Sequence, residues 1–369
     1  MTNAETKLCA QCKKQFTVNP EDFAFYQKIN VPAPTRCPDC RQIRRFLWRN
    51  ERTWYKRTCA ATGKNVLSMF EPSKRYTVYE LNYWRSDAWD PTAYGRDYDV
   101  KGLFFPQFKD LFDTVPHPNL IQKNNVASDY SNYTLNLKNC YYCASNDTGE
   151  DNCYLFTFML RNNQCMDGHL SDDCERCYEF VDCLKCSNVR FAEQCEGCVD
   201  SWLLYDCRNV NDCVGCVGLR GKSYCIFNEQ YTKEEYKKKL EELDLGSGNG
   251  LQEARKIFEG LKLKVPRKYA AIINSEHAVG DDIKNSRNVH GFTIKEASEN
   301  IRYGYRIKDS RDIWDSLICW NGAEMQYETV ACEAQRTYFS ALIYGGFDIQ
   351  YSYNCFDCNN IFGCIGLRN

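Results

Sequence analysis

Between Cys140 and Cys225 the apolar positions return at a fixed interval, not in the runs of an ordinary strand or helix. Cys153, Cys174, Cys195 and Cys216 stand 21 residues apart, as do Cys165, Cys186 and Cys207, and Cys177 and Cys198. Cys183, Leu204 and Cys225 keep the same interval, and Phe156 and Leu219 extend the Cys177 row. A fixed period of this size is the mark of stacked coils. The pattern predicts a mainly β chain whose bulk is a right-handed parallel β-helix-like solenoid of about 21 residues per coil; a left-handed hexapeptide helix would repeat at about 18. Each coil carries two C-x-x-C pairs, as in Cys174, Cys177, Cys183 and Cys186, with Asn188, Asn209, Asn211, Asp212 and Gly215 at bends.

The period then breaks. Thr232-Lys-Glu-Glu235 is a capping box opening a charged helix to about Leu243. Gly246-Ser-Gly-Asn-Gly250 interrupts it, and Leu251 to Leu261 has the pattern of a second helix. Together they predict a helical hairpin inserted into the solenoid. Afterwards the repeat resumes as a second copy: Asn211 to Arg220 matches Asn359 to Arg368 at an offset of 148. At that offset Cys207 falls on Cys355, but Cys153, Cys165, Cys195 and Cys213 fall on Ile301, Ile313, Ile343 and Ile361. A position that takes Cys in one copy and Ile in the other behaves as an apolar core site, and free Cys is a small buried hydrophobe. The alternative is a second metal site at Cys174, Cys177, Cys195 and Cys198, since stacked coils lie about 4.8 Å apart. The second copy offers Gly322 or Ala323, Met325 or Gln326, Ile343 and Gly346 there. It stops at Asn369 where the first copy runs on, so the chain is a fragment or its last coil is open, and an open edge invites a protein partner or self-association.

The remaining cysteines bring different chemistry. Cys9-Ala-Gln-Cys12 and Cys37-Pro-Asp-Cys40 are two knuckles, each able to aim two thiolates at one ion, and together they complete a closed tetrahedral set. The expectation is one structural Zn²⁺ held by Cys9, Cys12, Cys37 and Cys40, with a hairpin or short helix between Phe16 and Val31. Cys9-x-x-Cys12, Phe16, Glu21 to Tyr26 and Pro34-Thr-Arg36-Cys37-Pro-Asp-Cys40-Arg41 resemble the small probable zinc-ribbon domain family of uncharacterised bacterial proteins. The resemblance covers about the first 45 residues. The longer chain looks like uncharacterised proteins that join such a ribbon to a cysteine-rich repeat region. The resemblance implies the ribbon fold and zinc, and no activity.

Arg36 to Arg57 carries eight basic and two acidic residues, in a chain whose net charge is -2. On one helix Arg41, Arg45, Arg49, Arg52 and Lys56 would form a stripe. With Arg44, Arg57, Trp48 and Trp54 they are the candidates for gripping phosphates and stacking bases of a nucleic acid or ribonucleoprotein. The competing expectation is a basic helix docked on the acidic remainder of its own chain. Cys59 to Tyr79 reads as a second small hairpin module with one cysteine, too few for its own zinc site. Asp87, Asp90, Asp97 and Asp99 read as caps and turns, and Phe104 to Leu111 as a helix capping the first coil.

These readings divide the chain into 1–58 (ribbon and basic helix), 59–118 (linking and capping module), 119–231 (first solenoid copy), 232–264 (helical hairpin) and 265–369 (second copy). The polar N-terminus has no signal-peptide core and no apolar run spans a membrane, so the expectation is a cytoplasmic protein with reduced thiols and no membrane partner. No nucleotide loop, dinucleotide fingerprint or nucleophile elbow is present, and no catalytic residue is assigned. The expected function is a non-enzymatic zinc-binding scaffold. The alternatives are a carbohydrate-active β-helix enzyme and a metal or redox protein using the cysteine ladder.

Overall fold

A computed structural model describes residues 3–294, 298, 299, 301–305, 307, 310–319, 324–332, 335–338, 341 and 344–368. The chain is mainly β, and its largest element is a mixed sheet of 12 strands. Two antiparallel hairpins precede it: β1 (Glu5–Leu8) with β2 (Gln15–Val18), and β3 (Tyr55–Thr58) with β4 (Asn65–Ser68). Helices α1 (Pro20–Lys28) and α2 (Pro38–Phe46) follow the first hairpin, α3 (Leu81–Arg85) and α4 (Phe104–Thr114) the second. Helices α5 (Lys233–Glu242) and α6 (Gly248–Lys262) separate the large sheet from the C-terminal strands. Among the described residues no helix is long and apolar enough to cross a membrane.

From Thr134 to Ile226 the large sheet is a parallel ladder in which each strand pairs with the next along the chain. Tyr178 lies beside Arg190, Arg190 beside Trp202, Trp202 beside Val214, and Val214 beside Ile226. The step is therefore 12 residues, and the expected 21-residue coil is corrected. The reason lies in the backbone. Every third residue is left-handed: Asp173, Arg176, Glu179, Asp182, Lys185 and Asn188 have φ between 47° and 55°. The residue after each turns inward, so Cys174, Cys177, Phe180 and Cys183 are all buried. One step is thus four three-residue sides, and a 21-residue spacing joins an inward position to one a full step and three sides further on.

A left-handed residue other than glycine costs roughly 1 kcal/mol, and here the conformation is held by ladder hydrogen bonds at every side. Asp173 N donates to Leu160 O at 2.9 Å, Arg176 N to Asn163 O at 3.0 Å, and Asp182 N to His169 O at 3.0 Å. Inside, the rows are filled twelve apart. One runs Cys165, Cys177, Val189, Ser201, Cys213, Cys225, and its neighbour Cys174, Cys186, Cys198, Val210, all buried. Buried polar members bond to the next step: Asn162 Oδ1 accepts from Cys174 N at 2.9 Å, and Ser201 Oγ from Cys213 N at 3.0 Å. Gly168 leaves room for Phe180, whose ring stands 2.6 Å from where a Cβ would sit.

Cys153 is displaced from the row the sequence assigns to it. The pairing Cys153 to Met166 spans 13 residues, so Asn152 takes the buried place below Cys165 and Cys153 is only half-buried. In the second copy Ile301 and Ile313 are fully buried above Val289. That is the packing role expected of the Cys-to-Ile positions; Ile343, Gly322 and Ala323 lie outside the described residues.

The ladder ends in a reversal. Ser223–Ile226 pairs antiparallel with Glu229–Gln230, and Thr232 then caps α5, its Oγ1 accepting from Glu235 N at 3.2 Å while Glu235 Oε2 accepts from Thr232 N at 2.9 Å. Helix α6 starts earlier than expected because Ser247 Oγ accepts from Gly250 N at 3.0 Å. Its Ala254 and Phe258 bury against Leu203, Val214 and Val217. Helix α4 packs on the C-terminal strands, with Phe104 against Tyr351 and Phe362 and Phe112 against Tyr353, as well as on Leu120 and Tyr133 at the start of the ladder.

Candidate metal centre

Cys9 directly follows the first strand of the N-terminal hairpin, and the turn it opens is tight. Cys9 N donates to Lys14 O at 2.9 Å, Lys13 N returns to Cys9 O at 3.0 Å, and Lys13 takes a φ of 63°. This folds Cys12 back beside Cys9. The second knuckle is built on a helix start: Cys37 is the N-cap of α2, Pro38 supplies its first turn without needing a backbone donor, and Cys40 completes that turn. The sulfurs of Cys9, Cys12, Cys37 and Cys40 all lie within 4.8 Å of one another, and those of Cys12 and Cys37 are 3.6 Å apart. Tetrahedral thiolates at about 2.3 Å from zinc stand roughly 3.8 Å apart, so the cluster is of the right size for a metal ion.

Burial opposes ionisation of Cys9, but N–H groups of Cys12, Cys37 and Gln11 outweigh it and bring its pKa down to about 5. Burial and the neighbouring thiols push Cys40 up to about 12. A divalent cation offsets this mutual repulsion and lets all four sulfurs ionise. A metal held by all four sulfurs would have no open position for substrate. Asn19 and Asp22 cap α1, which fills the gap between the knuckles where a short helix is expected.

The hairpin around Cys59 repeats the first knuckle. Cys59 N donates to Lys64 O at 2.8 Å, as Cys9 N does to Lys14 O; Ala60 N donates to Val78 O, as Ala10 N does to Thr35 O. Glu80 N approaches Cys59 Sγ at 3.1 Å, and Cys37 N approaches Cys9 Sγ at 3.2 Å. Thr62, Glu80 and Tyr83 stand where Cys12, Cys37 and Cys40 stand in the first module, so the second has its shape without its ligands. The signal was readable: Cys59-Ala-Ala-Thr-Gly63-Lys64 keeps the left-handed residue and the lysine of Cys9-Ala-Gln-Cys-Lys13-Lys14.

The ladder thiols are not brought together in the proposed second set. Cys174 and Cys198 occupy one row two steps apart, while Cys177 and Cys195 belong to other rows. Among the described residues no other group of three or more Cys, His, Asp or Glu has its ligand atoms within 4.8 Å of one another. The thiols bond weakly to main-chain oxygens instead, Cys174 to Asp172 O at 3.4 Å and Cys177 to Glu175 O at 3.4 Å. Burial, backed by adjacent thiols, pushes the Cys195 pKa well above the ordinary thiol range.

The basic segment is not one helix. Helix α2 ends at Phe46, and Asn50 closes a turn by donating to Thr53 O and Met69 O and accepting from Thr53 N. Arg41 and Arg45 point inward to Asp315, whose carboxylate is fully buried, and Arg44 pairs with Glu328. Lys28 pairs with Asp312, and Arg302 with Asp22 at 3.0 Å. Cys9, Cys37, Cys40, Phe25 and Tyr26 share one core with Trp314 and Tyr327, and Trp314 stacks on Phe25 at 4.0 Å. Arg49 pairs with Glu51 and lies over Tyr133; Trp48 packs on Phe112 and Tyr353, and Trp54 on Tyr142. Arg57 donates to Glu71 O and Tyr76 O. Of the predicted phosphate-gripping residues only Arg52, over the Phe156 ring, and Lys56 are exposed.

No protein-family model matches the chain, and no curated protein matches it. One solved structure, described as a "putative acetyltransferase" from Desulfovibrio desulfuricans, aligns over 63% of this chain and 58% of its own length, at 10% identity and a TM-score of 0.13. That likeness is too low to carry a statement of fold or function, and the chain spans little more than half of the aligned protein.

Proposed function

We propose that the chain is a non-enzymatic scaffold organised by one structural Zn²⁺. In this reading Cys9, Cys12, Cys37 and Cys40 form a zinc ribbon, and the ladder is a β-solenoid with square twelve-residue coils. The supporting observation is the fastening of the cysteine module to the C-terminal strands by Lys28–Asp312, Arg41–Asp315, Arg44–Glu328 and Arg302–Asp22. The metal fixes the first turn of α2, and that turn aims the arginines at Asp315. The ribbon is then a clasp between distant parts of the chain, and the outer faces of the solenoid remain for a protein partner.

Metal analysis of the purified chain should give one zinc per chain. Stripping it with a chelator should open the clasp, seen as protease cleavage within residues 1–58 and a red shift of Trp314 emission. A chain without zinc, or one whose Trp314 ignores its removal, overturns the reading. A nucleic-acid role narrows to Arg52 and Lys56; single-stranded RNA binding at low salt that survives their replacement by alanine would exclude that surface.

A further inference from the structure

Where α2, α4 and the C-terminal strands meet, they leave a cleft of about 380 Å³, near the lower end of the range for small-molecule sites. Its walls differ in kind. One is aromatic, formed by Trp48, Phe104, Phe105 and Phe108. The other carries Arg36, Arg44 and Arg45 against a single carboxylate, Glu328, which Arg44 already pairs.

The charge on the second wall is under-satisfied. Arg45 is 2% exposed, yet its Nε and Nη1 make no hydrogen bond, and its nearest carboxylate oxygen, Asp315 Oδ1, is 3.6 Å away, on a carboxylate whose other oxygen is taken by Arg41. Arg36 is half-buried on the same wall and has no ion-pair or hydrogen-bond partner among the described residues. A guanidinium charge held with so little water around it gains from an anion placed beside it. Phe105, on the opposite wall, is a large apolar side chain that keeps 58% of its surface exposed. An occupant with an anionic head and a flat apolar body would satisfy both.

We propose that this cleft binds a small amphiphilic anion, its carboxylate received by Arg36 and Arg45 and its ring or acyl body laid against Phe104, Phe105 and Trp48. A guanidinium–carboxylate pair is directional and stronger than a neutral hydrogen bond. The head group should therefore decide affinity and the aromatic wall should add to it.

The probes are 2-naphthoate and its neutral amide, titrated calorimetrically against the full zinc-loaded chain. The naphthoate should bind saturably, and the amide at least about tenfold more weakly. Arg36→Gln should abolish that preference with zinc content and thermal midpoint unchanged, and Phe105→Ser should weaken both probes alike. No saturable naphthoate binding, or equal binding of acid and amide, overturns the proposal. Should Arg36→Gln lose zinc, Phe105→Ser decides: weaker binding upholds the site and unchanged binding overturns it. Zinc content is read separately throughout, so a failed cleft is distinguishable from a failed clasp.

Discussion

Asp315→Asn removes the carboxylate that faces both Arg41 and Arg45 and leaves two guanidiniums in a buried space. Asp315 has a side-chain exposure of 0%, Arg41 of 4% and Arg45 of 3%. At the 3.6 Å separation of Arg45 and Asp315, two unit charges attract by roughly 5 kcal/mol at an effective dielectric of 20. Desolvation consumes much of that in the intact pair, but removing one partner leaves the cost without the gain. The expected loss is about 3–5 kcal/mol. Urea unfolding followed by tryptophan fluorescence measures it, with Trp314→Phe identifying that residue's share of the signal. Replacing all three side chains together, by Met at Arg41, Leu at Arg45 and Leu at Asp315, should recover most of the loss, because no charge is then stranded. A loss below about 1 kcal/mol for Asp315→Asn, or no recovery in the triple variant, would refute the clasp as a fastening of the native fold.

Cys40→Ser should abolish zinc binding and unfold the first 46 residues, since metal affinity in such modules is folding free energy; metal analysis and amide exchange in α2 check this. His117 is 1% exposed, with Nε2 bonded to Phe112 O at 2.8 Å, and burial depresses its pKa to about 4. The unfolded chain binds a proton near pH 6.5 that the folded chain refuses until about 4, so stability should fall by roughly 3 kcal/mol as pH drops through that window. His117→Gln should remove this slope in denaturant melts taken from pH 7 to 4. Phe180→Ala empties a fully buried ring position in the ladder and should cost about 3–5 kcal/mol, whereas Cys195→Val should stay within about 1.5 kcal/mol if that thiol is a packing residue; thermal melts of both separate the two cases.

The four-cysteine cluster and the helical hairpin were legible because each rests on local chemistry. Two C-x-x-C knuckles name their own ligands, and Thr232 with Glu235 names a helix start. The ladder was legible as a repeat but not at its true interval. Cysteine occupies only some inward positions, while Phe180, Val189, Ala192, Ser201 and Val210 fill others, so the eye follows like residues diagonally. The turn signal is diluted as well. Phe191, Leu203 and Tyr224 adopt left-handed φ values of 58°, 56° and 56°, and nothing in their composition announces a bend. The basic stripe misled for another reason: its arginines are spaced as on one helix, but Asn50 turns the chain, and their partners Asp315 and Glu328 lie more than 270 residues away.

A chain that takes 12 residues to move from one strand to the next advances by about 4.8 Å per step. That is roughly 0.4 Å per residue, against about 1.5 Å in a helix. The ladder is therefore a ruler with one graduation. Its length changes most simply by whole twelve-residue units, and a change of any other size has to be absorbed locally, as a bulge, for the inward side chains beyond it to keep their rows. The 13-residue step from Cys153 to Met166 is absorbed in this way and leaves that cysteine only half-buried, and the C-terminal strands depart from twelve as well, with 11 residues from Val279 to His290 and 13 from Ile318 to Ala331.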